Sequence, residues 1–272
     1  MAESVNRVLF VNSEIYPYIP ESDIANIGRY LPQGAQERKK EIRSFMPRYG
    51  CINERKNQLH EVIRLSGMNI IIGDVDRPLI IKVASISSAR IQVYFIDNED
   101  YFRRKQISCD ADGKFFADND ERAIFFARGV LETVKKLRWA PDVIHCQGWI
   151  SHLVPVFLKK AYKDDPIFSN SKVVLSLYDD TPKEKMAPDF ADKISFGGIT
   201  PKDLPFLEDP DGINLAKSAA QYSDGIILGA ETVEQPILDY CAERNLPILP
   251  FNRAALEDGS YIDEYCAFYD KL

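Results

Sequence analysis

Three short stretches of this chain carry residue types that do chemistry. Pro20-Glu21-Ser22-Asp23 places two carboxylates and a hydroxyl at the start of a helical pattern, just after the apolar run Val8-Leu9-Phe10-Val11. His145-Cys146-Gln147-Gly148-Trp149 sets an imidazole, a thiol, an amide and an indole at the end of a second apolar run, and Tyr178-Asp179 adds a phenol and a carboxylate after a third. An imidazole or carboxylate can move a proton, a hydroxyl with free backbone N–H groups can hold an anion, and an indole can stack on a flat ligand face. Each stretch lies where a buried strand gives way to a loop or helix, which is where an α/β sheet presents its ligand crevice.

The elements that would position these groups follow from hydrophobic periodicity. Continuous apolar runs suited to a parallel sheet covered on both faces fall at residues 7–12, 41–46, 143–146, 172–177 and 225–229. Helical spacing follows most of them: Ile24, Ile27 and Leu31 after the first, then 122–137, 150–162, 213–222 and 232–245, with Pro236 acceptable in a first turn. Asp118-Asn119 and Glu121-Arg122 read as capping residues of the long 122–137 helix. Between residues 61 and 97 the pattern changes to short β-rich segments at 62–65, 68–72, 79–83 and 91–96 with no helix between them. Hairpins are expected there, the last strand rejoining the main sheet. The sequence thus predicts an α/β fold: one Rossmann-like, doubly wound and mostly parallel sheet with a β-hairpin insertion. The domain spans residues 1–250, with the insertion at about 61–97, and residues 251–272 form a carboxyl-terminal helical extension containing a helix over 261–272. The stretch 178–210, rich in Pro, Asp and Gly, is a functional loop or a lid.

Composition narrows the partners. A net charge of -7 over 272 residues argues against a nucleic-acid surface, whose affinity comes from clustered Lys and Arg. No apolar stretch of about twenty residues is present, so no membrane span is expected, and the amino terminus lacks a signal-peptide pattern. Cys51, Cys109, Cys146, Cys241 and Cys266 are odd in number and contain no CxxC pair, which fits reduced, mostly buried thiols in a cytoplasmic protein. His60, His145 and His152 are the only histidines and converge with no other ligand cluster, so no metal and no cofactor is expected. Trp149, Phe125, Phe126 and Trp139 read most simply as core aromatics.

Several further motifs carry a family resemblance. Met46-Pro47-Arg48-Tyr49-Gly50, Val93-Tyr94-Phe95-Ile96-Asp97, Tyr101-Phe102-x-Arg104, Asp118-Asn119-x-Glu121-Arg122, Pro141-Asp142-Val143-Ile144-His145 and Tyr222-Ser223-Asp224-Gly225-Ile226 occur in one order. That order resembles the amino-terminal domain of bacterial glycogen synthases and plant starch synthases, glycosyltransferases that use ADP-glucose. The resemblance runs from about Arg7 to Tyr240 and implies one half of a two-Rossmann-domain glycosyltransferase, the chain stopping about where the first domain would hand over to the second. It also implies three substituted sites. Pro20 falls at the lysine of the family's Lys-x-Gly-Gly loop, with Ser22 and Asp23 at its glycines. Gln147 falls at the central histidine of His-x-His-Asp-Trp and Gly148 at its aspartate. Tyr178 falls at an active-site histidine.

Proline brings neither charge nor N–H, Asp23 adds a negative charge where a diphosphate would lie, and a phenol is a poor proton carrier near neutrality. No catalytic residue is therefore expected, the degenerate positions being Pro20, Gln147 and Tyr178. Glu21, Ser22, Asp23, His145, Trp149, Tyr178 and Asp179 stand as candidate ligand contacts. The resemblance leads to a catalytically impaired glycogen/starch synthase-like module that binds an α-glucan or a protein partner. Two alternatives are an active glucosyltransferase half completed by a separate carboxyl-terminal domain, and a purely structural subunit that uses the old cleft face as an interface.

Overall fold

The computed structural model describes residues 5–272. In chain order the elements are β1 (Arg7–Asn12), α1 (Asp23–Glu37), β2 (Glu41–Pro47), β3 (His60–Glu61), β4 (Met68–Ile72), β5 (Val75–Ile86) and β6 (Ile91–Asp97). There follow α2 (Glu99–Phe102), α3 (Asn119–Leu137), β7 (Val143–Gln147), α4 (Leu153–Lys160), β8 (Lys172–Leu177), α5 (Phe190–Ile194) and α6 (Gly212–Gln221). The chain closes with β9 (Gly225–Leu228), α7 (Gln235–Glu243), β10 (Ile248–Leu249), α8 (Arg253–Asp258) and α9 (Tyr261–Tyr269).

The sheet runs β10-β9-β8-β7-β1-β2-β6-β5-β3, with β4 paired to β5. Every pairing from β10 to β6 is parallel, while β5 is antiparallel to β3, β4 and β6. This is the doubly wound α/β sheet that the strand-then-helix alternation predicts, and the insertion is built from hairpins whose last strand, β6, joins β2. One segment differs. Residues 62–65 form a turn closed by the Leu65 N–H on the Val62 carbonyl at 2.9 Å, and the ladder residues are His60 and Glu61 instead. The helix expected at 150–162 opens as a 3-10 turn, Trp149–Ser151, before α4.

Strand order places the crevice. From β1 the chain steps outward through β2 and β6, then crosses back through α3 to β7 and steps the other way to β8, β9 and β10. The reversal lies between β1 and β7, so the topological switch point is at the ends of Asn12 and Gln147, which pair in register. Right-handed crossovers put α1 on one face and α3, α4, α6 and α7 on the other, where neighbouring helices pack in sequence. That arrangement gives β7, β8 and β9 no crossover helix on the α1 face. The chain's last helix supplies it: α9 packs beside α1, and Phe268 and Leu272 lie against Gly225 of β9.

The resembling motifs hold this frame. The Asp142 carboxylate accepts the Asn6 and Arg7 N–H groups at 2.8 and 2.9 Å, fixing the entry of β1 beside β7. Arg48, after β2, pairs with the buried Asp97 of β6 at 3.0 Å. Asp118 stands at the cap position just before α3, but its carboxylate binds Arg104 at 2.6 Å rather than a helix N–H, so its work is to anchor the 103–118 segment instead of capping. The guanidinium of Arg122 is fully buried, donates to the Tyr101 carbonyl at 2.9 Å, and lies among the Tyr49, Phe102 and Phe116 rings. Phe125, Phe126, Trp139 and Trp149 are all buried, as the core reading requires.

Candidate functional site

At the switch point the strand ends are filled by neutral, mutually bonded groups. Along β7 the side chains of His145 and Gln147 point to one face and that of Cys146 to the other, by ordinary strand alternation. The Gln147 amide N–H donates to Asn12 Oδ1 at 2.7 Å, and the Tyr178 hydroxyl donates to Gln147 Oε1 at 2.9 Å. All three residues are buried. Burial pushes the Tyr178 phenol well above its ordinary range, so it acts here as a hydrogen-bond donor and not as a proton carrier.

His145 lies deeper than its position near the strand end suggests. Its Nε2 is 2.6 Å from Ser176 Oγ of β8 and its Nδ1 is 2.7 Å from the Tyr269 hydroxyl of α9. With both nitrogens engaged and no exposure, burial lowers its pKa to about 3, and the ring is a neutral latch between the sheet and the last helix. Trp149 is packed near Phe115, ring centres 5.7 Å apart, and its backbone N–H donates to Asp180 Oδ2 at 2.8 Å. Gly148 takes a φ of +84°, and a Cβ there would collide with the Ser13 side chain, so the turn after β7 requires glycine.

The loop after β1 carries the other candidates. Pro20 and Glu21 are exposed. Ser22 is the amino-terminal cap of α1, its hydroxyl accepting the Ala25 N–H at 3.1 Å. Asp23 sits in the first helical turn, where the helix dipole favours a carboxylate, and pairs with Arg253 of α8 at 3.1 Å. The backbone N–H groups that could cradle an anion are thus partly taken up by Ser22, and the nearest added cation is already paired. From Ser13 to Asn26 the sequence contains no Lys or Arg. Asp179 is exposed at the head of the 178–210 loop.

Two further carboxyl groups stand at this edge, Glu14 and Asp180, the second being part of the Asp179-Asp180 pair that the sequence offers as a turn signal, a helix cap or a remodelled polar site. Burial pushes Asp180 up to about 6, against the Trp149 N–H bond that favours its charged form. Burial also raises Glu14, which lies close enough to feel the Asp180 charge and accepts the Ser22 hydroxyl at 3.4 Å. Their signal in the sequence was only positional, a carboxylate two or three residues past the end of a parallel strand. Asn12, Ser176, Arg253 and Tyr269 were missed, since each acts through a partner distant in sequence.

The strand order, the crevice at the β1/β7 reversal and the loops that line it define a Rossmann-like, doubly wound α/β domain. The family model for the starch synthase catalytic domain matches residues 7–246, and the chain belongs to that family. Glycogen synthase of Chlorobium limicola is 40% identical over 179 residues, which is 65% of this chain and 37% of that protein. Glycogen synthase of Chlorobaculum parvum is 34% identical over 226 residues, 82% of this chain and 46% of that protein. The catalytic domain of starch synthase IV from Arabidopsis thaliana, bound to ADP and acarbose, superposes with a TM-score of 0.65 at 15% identity, over 83% of this chain and 45% of that one. The chain therefore spans less than half the length of these relatives. Among the described residues no helix is long and apolar enough to cross a membrane.

Proposed function

We propose that this chain is a glycogen/starch synthase-like protein whose domain, on its own, lacks transfer chemistry and serves as an α-glucan-binding module. The observation that carries this reading is the buried Asn12–Gln147–Tyr178 chain, which fills the switch point with groups that neither carry charge nor exchange protons near neutrality. A diphosphate also meets no unpaired cation on the loop after β1, where Asp23 and Glu21 add negative charge. A neutral polyhydroxyl ligand is indifferent to both losses. The starch synthase IV structure, which is bound to acarbose as well as ADP, supports a saccharide as the ligand class. All five cysteines are unpaired, in keeping with a reducing cytoplasm.

The test incubates the purified chain with labelled ADP-glucose and glycogen, alone and mixed with a carboxyl-terminal domain from a relative, and follows both incorporation and co-sedimentation with glycogen. Co-sedimentation without incorporation in either mixture is expected. Glucose transfer by the chain alone overturns the reading, and transfer only in the mixture favours an active half.

A second reading, a protein-binding module, rests on Ile71 and Val75, 55% and 48% exposed on the β4–β5 hairpin. No large exposed apolar side chain lies on the 20–23, 147–149 or 178–180 stretches, so the old cleft face does not supply an apolar interface. A stoichiometric protein recovered from native cells after glucan digestion, and lost on Ile71→Asp, would favour that reading.

A further inference from the structure

Along α1, beginning at Asp23, a cleft of about 480 Å³ opens towards the turn that joins α8 to α9. Its volume is that of a small-molecule site, roughly 300–1,000 Å³. Its wall on the α1 side is Asn26, Ile27 and Tyr30, and on the other side Arg253, Glu257 and Tyr261. Tyr30 is 45% exposed and, of the four large apolar side chains exposed to that degree among the described residues, it is the one that lines this cleft. The Arg29 guanidinium lies over its ring, 5.3 Å from the ring centre. That guanidinium is in turn fixed by Gln33 Oε1 at 2.8 Å and Ser88 Oγ at 3.2 Å. The aromatic surface is therefore positioned before any ligand arrives, which limits the entropy lost on binding.

We infer that this cleft is a glucan subsite in which a glucose ring stacks on Tyr30; the inference rests on the glucan-binding reading above. The polar lining decides the ligand class. Asp23 and Glu257 place carboxylates in the cleft, and Arg253 is committed to Asp23, so the site repels a phosphate or nucleotide. Carboxylates and amides suit sugar hydroxyls, because each oxygen accepts from an O–H and the amide can donate as well. Among the described residues neither the Asn26 nor the Glu257 side chain has a hydrogen-bond partner, which leaves both free for a ligand, and the planar apolar ring beside them suits the C–H face of a pyranose. At the rim, Gly259 takes a φ of +83° with no atom within 4 Å of where a Cβ would stand, so a bound chain can run out along the α8–α9 turn.

Maltoheptaose is the probe, titrated into the whole chain by calorimetry and by amide-resolved NMR, with Tyr30→Ala, Tyr30→Phe and an excess of ADP as the comparisons. Wild type is expected to bind and to shift the Asn26 side-chain amide and the Gly259 N–H signals. Tyr30→Ala should bind about three- to tenfold more weakly, the scale of one lost aromatic contact, and Tyr30→Phe within about twofold of wild type. ADP should not compete. If wild type binds maltoheptaose but Tyr30→Ala binds equally, or the shifted signals lie elsewhere, this subsite is overturned while the glucan-binding reading stands. If wild type binds neither maltoheptaose nor glycogen, both fall. The wild-type NMR map decides the location even if a variant folds poorly.

Discussion

Lowering the pH from 7 to 5 should destabilise this protein by about 2–3 kcal/mol, and two buried histidines set that figure. Burial lowers both His145 and His152 to about 3 in the folded chain, against an ordinary value of 6.5. Below pH 6.5 the unfolded chain takes up protons that the folded chain refuses. The stability is therefore whole above 6.5 and drains as the pH falls towards 3. At pH 5 each imidazole has cost about 2 kcal/mol relative to pH 7. Asp180 works in the opposite direction, because its folded value of about 6 lies above its ordinary 3.8 and it takes up its proton first in the folded state. It returns about 1 kcal/mol over the same interval, and Glu14, also raised, shares that sign. The perturbation that isolates one histidine is His152→Leu. Among the described residues neither ring nitrogen of the buried His152 has a hydrogen-bond partner, so the leucine relieves an unsatisfied polar group and should leave the chain as stable at pH 7 or about 1 kcal/mol more so. Urea unfolding at pH 7, 6 and 5, followed by tryptophan fluorescence, should show the variant losing about 2 kcal/mol less than wild type across the range. Equal losses in the two proteins would refute the claim that His152 is held neutral by burial.

Two local substitutions test the packing of the site. Tyr178→Phe leaves Gln147 Oε1 buried without its donor and should cost about 1–3 kcal/mol in urea unfolding, with glycogen co-sedimentation unchanged. Gly148→Ala forces a Cβ into Ser13 at a φ of +84° and should cost at least about 2 kcal/mol; a melting temperature equal to wild type would show that the turn after β7 is not as tight as described.

The parts of this fold that were legible in sequence are those decided by local burial. The runs 7–12 and 172–177 become β1 and β8 with the same ends, because each is a continuous apolar stretch bounded by polar or turn residues. Val62 and Leu65 misled because two buried-type residues three apart serve a turn as well as a strand. The six-residue α8 has too few turns to show a period. At the site, alternation along β7 already implied that His145 and Gln147 share a face. What covers that face could not be read locally. Tyr269 lies 124 residues from His145, and Arg253 lies 230 residues from Asp23. Both contacts exist only because the last two helices return to the sheet, and no periodicity at either end announces the meeting.

That return makes the site one interlocked structure, in which Asn12, Gln147, Tyr178, His145 and Tyr269 depend on one another. The Tyr178 ring occupies space available only because residue 229 is glycine, a Cβ there falling within the ring's own contact distance. Its hydroxyl is oriented by Gln147, which is oriented by Asn12, and the adjoining His145 is tied to Ser176 and to α9. Placing an imidazole at position 178 alone would remove the phenol from Gln147 and leave a void beside Gly229, and it would bring no cation to the loop at residues 20–23. Each group in this set is satisfied by another, so a single substitution loses packing and hydrogen bonds before it gains any chemistry. The α9 helix that ends this network forms, with α8, one wall of the Tyr30 cleft. In the proposed reading, the segment that ties His145 to the last helix is thus also the one that opens a place for a glucan chain.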